Sequence, residues 1–136
     1  MSIDLGFLFP FRNPDFNRRP WDRLYRDDLD LAAYSETLGF DHVWLTEHHF
    51  IDDGYSPSLI PIATAIGART NTIRIGTFVM LLPMHQTVRL AEDIATADVI
   101  SGGRMDIGVG LGYRVGEFAG MGISPRERAK RFAEQL

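Results

Sequence analysis

The sequence predicts an α/β fold built on a parallel sheet, and three observations carry that prediction. Apolar runs begin near residues 3, 40, 73 and 104, each followed by a segment with helical spacing. The resulting β-α-β-α-β-α-β-α order repeats every 31 to 37 residues or so, the length of one βα step. The runs are apolar on both faces, as in a parallel sheet covered by helices. Strict alternation fits either a doubly wound open sheet or a (β/α)8 barrel. A barrel takes about 250 residues, and 136 residues supply four units. The last helix is still running at Leu136, which favours the first half of a barrel cut inside a helix.

Taken in order, Ile3 to Phe9 reads as a strand stopped by Pro10, and Phe11 to Pro20 as a loop. Trp21 to Leu38 has helical spacing, with Leu24, Leu31 and Leu38 seven residues apart and Tyr25 and Ala32 in the same stripe. Gly39 ends it. Phe40 to Leu45 is the second strand, leading through Glu47-His48-His49 to a loop at Asp52-Asp53-Gly54. Ser56-Pro57 predicts a helix start, serine as N-cap and proline at the first helical position, running to about Arg69. Ile73 to Leu82 is the third strand, closed by Pro83. Thr87 to Ile100 is the next helix, with Val88, Ala91, Ala95 and Val99 on one side, stopped by Ser101-Gly102-Gly103. Arg104 to Val109 is the fourth strand and enters a glycine-rich turn, Gly108 to Gly112. Ser124-Pro125-Arg126-Glu127 predicts a capping box opening the last helix.

Composition narrows the function. With 45% hydrophobic and 24% charged residues the chain is in the ordinary globular range. Net charge is −4 and no basic block occurs, which argues against a nucleic-acid surface. Without cysteine there is no disulfide framework or thiolate metal site. No apolar run approaches the roughly 20 residues that span a bilayer. Met1-Ser2-Ile3-Asp4 lacks the basic and apolar regions of a signal peptide. The expectation is a cytoplasmic protein acting away from membranes.

Ligands of α/β folds bind at the carboxyl ends of the strands, and the chemically distinctive residues gather there. Glu47, His48 and His49 follow the second strand and form the densest titratable group. His85 follows the third, and Gly110-Leu111-Gly112-Tyr113 the fourth. His42 lies inside a strand and reads as structural. The glycine turn misses the Gly-x-Gly-x-x-Gly dinucleotide pattern, because Tyr113 replaces the third glycine. Gly108 and Gly110 fit two readings equally: room for close backbone approach, or bare backbone against a flat ring or phosphate. Arg89 and Glu92 read as a helix-surface pair. A metallohydrolase site at Glu47, His48 and His49 with Asp52 and Asp53 is disfavoured, since adjacent histidines in an extended segment point to opposite sides.

Several stretches together resemble the bacterial luciferase-like family of flavin-dependent oxidoreductases. They are Gly39 to Phe50 (Gly-Phe-Asp-His-Val-Trp-Leu-Thr-Glu-His-His-Phe), Ile75-Gly76-Thr77, Leu82-Pro83, Val88-Arg89-Leu90-Ala91-Glu92-Asp93 and Ser101-Gly102-Gly103-Arg104. Glu117-Phe118 and Gly122 fit a loop that relatives carry before the next helix. The resemblance implies a (β/α)8 TIM barrel, residues 1–136 supplying its first four βα units. It also implies reduced FMN, or coenzyme F420, at the C-terminal mouth of the barrel. His48 matches the histidine beside the reactive face of the ring and would act as general acid or base, with Glu47 and His49 orienting it or shaping the pocket. Thr77, Phe78 and Val79 match the segment where relatives place a non-proline cis peptide under the ring. With Gly110, Leu111 and Gly112 they form the expected cofactor-binding set. Leu111 stands where luciferase itself has an arginine near the flavin phosphate, and the Gly-Leu-Gly-Tyr-Arg run is closer to oxidoreductases that include F420 users. The expected activity is a flavin-dependent monooxygenase or oxidoreductase acting on a small organic substrate, the chain alone being incomplete. The alternatives are a non-catalytic half-barrel that pairs with a second copy or a complementing C-terminal half, and a TIM-barrel metallohydrolase.

Overall fold

In the computed structural model residues 3–136 are described; Met1 and Ser2, part of the stretch read for a leader, lie outside the described residues. Four strands, β1 (Gly6–Phe9), β2 (His42–Leu45), β3 (Arg74–Leu81) and β4 (Met105–Gly110), pair in parallel in the order β1-β2-β3-β4. A doubly wound sheet reverses its strand order partway to place helices on both faces, so this order removes that alternative. Crossovers of a single hand between neighbouring strands bring their helices to one side, as in the wall of a barrel.

The helices are α1 (Trp21–Thr37), α2 (Leu59–Gly67), α3 (Thr87–Ser101), α4 (Val115–Gly120) and α5 (Arg128–Gln135). Val43, Leu45 and Ile75 from the sheet meet Ala32, Leu59, Ile62, Ala63, Ile66, Leu90 and Ala97 from α1 to α3 in one buried core. The opposite face is open, with Leu8 53% and Phe78 65% exposed. The expectation of strands buried on both faces is thereby corrected: the covering helices share one side.

Within the helices, two predicted stripes are displaced. In α1 Leu24, Ala32 and Ser35 are buried, whereas Leu31 and Leu38 are exposed. Leu24, Ala32 and Ser35 set the buried side, and a seven-residue repeat, lagging a straight helix by about 20° per heptad, leaves the later leucines at its edge. In α3 the Val88, Ala91, Ala95 and Val99 face points to solvent; Leu90, Ala97 and Ser101 are buried, with Ile94 packed beside them. The sequence offers two stripes, and the one carrying Leu90 and Ile94 removes more apolar area from water.

Helix starts are corrected too. α2 begins at Leu59, because Ser56 adopts φ +46° and donates its hydroxyl to the Pro10 carbonyl at 2.7 Å. Ser124 makes no side-chain cap; Pro125–Glu127 forms a 3-10 turn before α5. The stretch from Arg114 to Gly122, expected to be a loop, contains α4. Arg104, just before β4, donates to the carbonyls of Gly67, Thr70, Ile73 and Ser101 and to the Thr70 hydroxyl. It thus supplies cation and donors to the C-terminal end of α2, where carbonyls lack helical partners.

Candidate active site

The mouth of the sheet is organised by two buried carboxylates. Glu47 follows β2 and is 3% exposed. Its Oε1 accepts from His49 Nε2 at 2.7 Å and His85 Nε2 at 2.8 Å, and its Oε2 from the Leu81 N–H at 2.6 Å. Burial alone would raise its pKa; the bonds from His49, His85 and Leu81 reverse that and bring it down to about 2. Glu47 is therefore a fixed anion tying the β2 loop to the end of β3.

The second carboxylate is Glu117 of α4, 2% exposed. Its Oε1 lies 2.8 Å from His48 Nδ1 and accepts from the His49 N–H at 3.1 Å. Its Oε2 has no partner among the described residues. The His48 ring stands edge-on to Tyr55, centroids 4.6 Å apart at 87°, and to Tyr113 at 6.0 Å and 84°. The two adjacent imidazoles thus bond to different carboxylates. Glu47 and His49, expected to orient His48 or to shape the pocket, do not bond to its ring, and Glu47 lines the recess: alternation along an extended segment sends His49 to Glu47 and leaves His48 to Glu117. Local sequence does not announce this role for Glu117: it stands seven residues past the end of β4, in an acid-aromatic pair with Phe118.

A recess of about 330 Å³ opens here, lined by Leu8, Glu47, His48, Tyr55, Phe78, Val79, Gly110, Leu111, Gly112 and Tyr113 among others. The Phe78-Val79 peptide is cis, as the resemblance implied. Between the pairs Thr77↔Ile107 and Met80↔Val109 the register slips by one, so Phe78 and Val79 together oppose Gly108. Such a bulge re-aims a side chain, and Phe78 stands exposed beside the recess. Gly108 and Gly110 make that geometry possible: a Cβ on Gly110 would lie 2.5 Å from Val79 Cγ2, and one on Gly108 would strike the Thr77 carbonyl oxygen. Of the expected cofactor set, Thr77 does not line the recess; it is fully buried and donates its hydroxyl to the Gly108 carbonyl at 2.8 Å.

His42 stacks on Trp44 near the opposite end of the sheet, 5.4 Å between centroids, away from the recess. Arg89 pairs with Glu92 and Asp93 on the surface of α3. Among the described residues no three His, Asp or Glu side chains converge as metal ligands. Among the same residues no helix is long and apolar enough to cross a membrane.

Comparison with known proteins places the chain in a family. The family model described as luciferase-like monooxygenase matches residues 3–136. The 4-hydroxyprotoasukamycin monooxygenase of Streptomyces nodosus subsp. asukaensis is 39% identical over 133 residues, 96% of this chain and 34% of that protein. Monooxygenase RslO1 from Streptomyces bottropensis superimposes with a TM-score of 0.89 at 32% identity, over 98% of this chain and 40% of that one. The oxygenating constituent of 3,6-diketocamphane monooxygenase from Pseudomonas putida, solved with FMN, gives 0.88 at 21% identity, over 99% of this chain and 38% of that one. The chain spans about a third of the length of the curated relatives it matches.

Proposed function

The chain belongs to the luciferase-like monooxygenases, and from that membership we propose that it supplies the first four βα units of a barrel that oxidises a small organic molecule with a reduced flavin, FMN or F420. The observation that carries the reading is His48, held between two tyrosines with one ring nitrogen on a buried carboxylate, in the wall of the recess.

The recess fits one face of a flat apolar ring. Its floor is Leu8, Phe78 and Val79, and the backbone at Gly110 carries no side chain to obstruct approach. Phe78, Val79, Gly110, Leu111 and Gly112 would hold the ring, and Thr77 would act only by fixing β3 to β4. A reduced flavin, when bound, supplies the electron pair for oxygenation or reduction. The protein's part is to position the reactants and to move a proton at His48 Nε2, the ring nitrogen left over from Glu117. Glu47 keeps the loop bearing His48 attached to the strand bearing Phe78.

The open inner face belongs to the same proposal. Leu8 and Phe78 are too exposed for a finished interior, and apolar faces of this kind associate. A second half-barrel, or a second copy of this chain, would cover them; gel filtration of the isolated chain reading a well-behaved monomer counts against this. The flavin assignment is tested by anaerobic titration of a whole-barrel form with reduced FMN and with F420, followed by absorbance and fluorescence. Binding of either supports it, and binding of neither removes it. A metallohydrolase has no converging ligand set to stand on among the described residues.

A further inference from the structure

The two carboxylates at the mouth use their oxygens differently, and the difference bears on which nitrogen of His48 carries the proton. Both Glu47 oxygens are occupied. Glu117 presents Oε1 to His48 Nδ1 and to the His49 N–H, while its Oε2, buried, has no donor among the described residues. An ionised carboxylate only accepts hydrogen bonds. A buried carboxylate short of donors makes a bare Nδ1 facing it expensive, since two acceptors would meet at 2.8 Å. Against an ionised Glu117, Nδ1 carries the hydrogen of this bond. Among the described residues His48 Nε2 has no hydrogen-bond partner and is not one of the buried unpartnered atoms, and His48 lines the recess.

We propose that Glu117 is the positioning residue of this site, holding His48 as the Nδ1–H tautomer so that Nε2 enters the recess as a bare proton acceptor. Its consequence for turnover rests on the flavin reading above; the tautomer itself does not. His48 then begins as a base. An acidic O–H or N–H of the bound molecule breaks, its proton forms a bond to Nε2, and the resulting imidazolium is balanced by the Glu117 carboxylate. The proton returns by the same path, and no redox change occurs at either residue. The short helix α4 acquires a purpose in this arrangement: it delivers a charge to a histidine 69 positions earlier in the chain.

The test is long-range nitrogen–proton NMR on the uniformly labelled chain, which contains four histidines. In the wild type His48 is expected as Nδ1–H with Nε2 unprotonated. His49 and His85 are expected as Nε2–H, because both donate that nitrogen to Glu47. In Glu117→Ala His48 should shift toward the Nε2–H form that free histidine prefers, while His49 and His85 stay unchanged as internal evidence of folding. Should the alanine variant not fold, Glu117→Gln replaces it. Loss of the negative charge should then move the far-downfield Nδ1 proton upfield. Wild-type His48 found as Nε2–H, a tautomer unaffected by Glu117→Ala, or an Nδ1 proton unmoved in Glu117→Gln would each overturn the assignment. None of these measurements needs flavin, so failure of flavin binding and failure of this inference are separate results.

Discussion

Glu47 and Glu117 lie on either side of His48-His49, both buried, both bonded to imidazole, and they serve different ends. Glu47 is saturated: two imidazole donors and a backbone N–H hold it as a low-pKa anion between the β2 loop and the end of β3. Glu117 has one oxygen without a partner among the described residues and holds the imidazole that borders the recess. A saturated buried charge serves as a joint, because every proton it could exchange is already engaged. An undersaturated one beside an open histidine is the arrangement on which the proposed proton movement rests. The same pairing, acid beside histidine, is thus a fastening at Glu47 and His49, and at Glu117 it holds the histidine that borders the recess.

Substitution should separate the two. His48→Ala is expected to lower turnover of a whole-barrel form by about 10²–10⁴-fold, the range of a lost general acid or base. Its unfolding free energy should fall by about 1–3 kcal/mol, because buried Glu117 loses its imidazole partner. Full turnover without His48 would erase its side of the contrast. Glu47→Ala should do the reverse and cost about 3–5 kcal/mol in urea denaturation, since His49, His85 and the Leu81 N–H lose a buried anionic partner together. A variant as stable as wild type would mean that Glu47 is no joint.

Acid provides a smaller and reversible version. The folded-state pKa of Glu47 is about 2, below its ordinary 4.5. The stability it contributes is complete above pH 4.5 and disappears as the pH falls through that interval toward 2, a loss of about 3 kcal/mol. Chemical denaturation at pH 5 and pH 3 should show a loss in wild type that is clearly smaller in Glu47→Gln, where part remains because Glu36 is also held at about 2, against the effect of burial, by the N–H groups of Ile73, Thr72 and Asn71.

Glu36 sharpens the contrast from outside the site. Its carboxylate accepts the N–H groups of Asn71, Thr72 and Ile73 and the Thr72 hydroxyl, closing the turn into β3. It too is a saturated anion, but on the surface, where water softens every term. Glu36→Gln should cost only about 1 kcal/mol; a loss as large as that of Glu47→Ala would show that saturation, not burial, sets the cost.

Much of this was legible from residue order. Four βα units, the sheet's parallel sense and the gathering of His48, His49, His85 and the glycine turn at strand ends all follow from hydrophobic periodicity and turn chemistry, which are local. The cis Phe78-Val79 bond followed from resemblance. The errors share a cause. The neighbours of Ser56 predict a cap, but its hydroxyl goes to Pro10, 46 residues away. The Val88 stripe of α3 is as periodic as the Leu90 stripe, and only docking against α2 and the sheet chose between them.

The sequence by itself determined which elements form and at which end of the sheet the reactive side chains gather, because 3.6- and 2-residue periods and strand-end loops are properties of short segments. Tertiary structure alone decided which face of each helix is buried and which carboxylate each histidine meets. Those choices depend on where a distant segment comes to rest, and for His48 the partner lies 69 residues on, in a helix too short to announce itself.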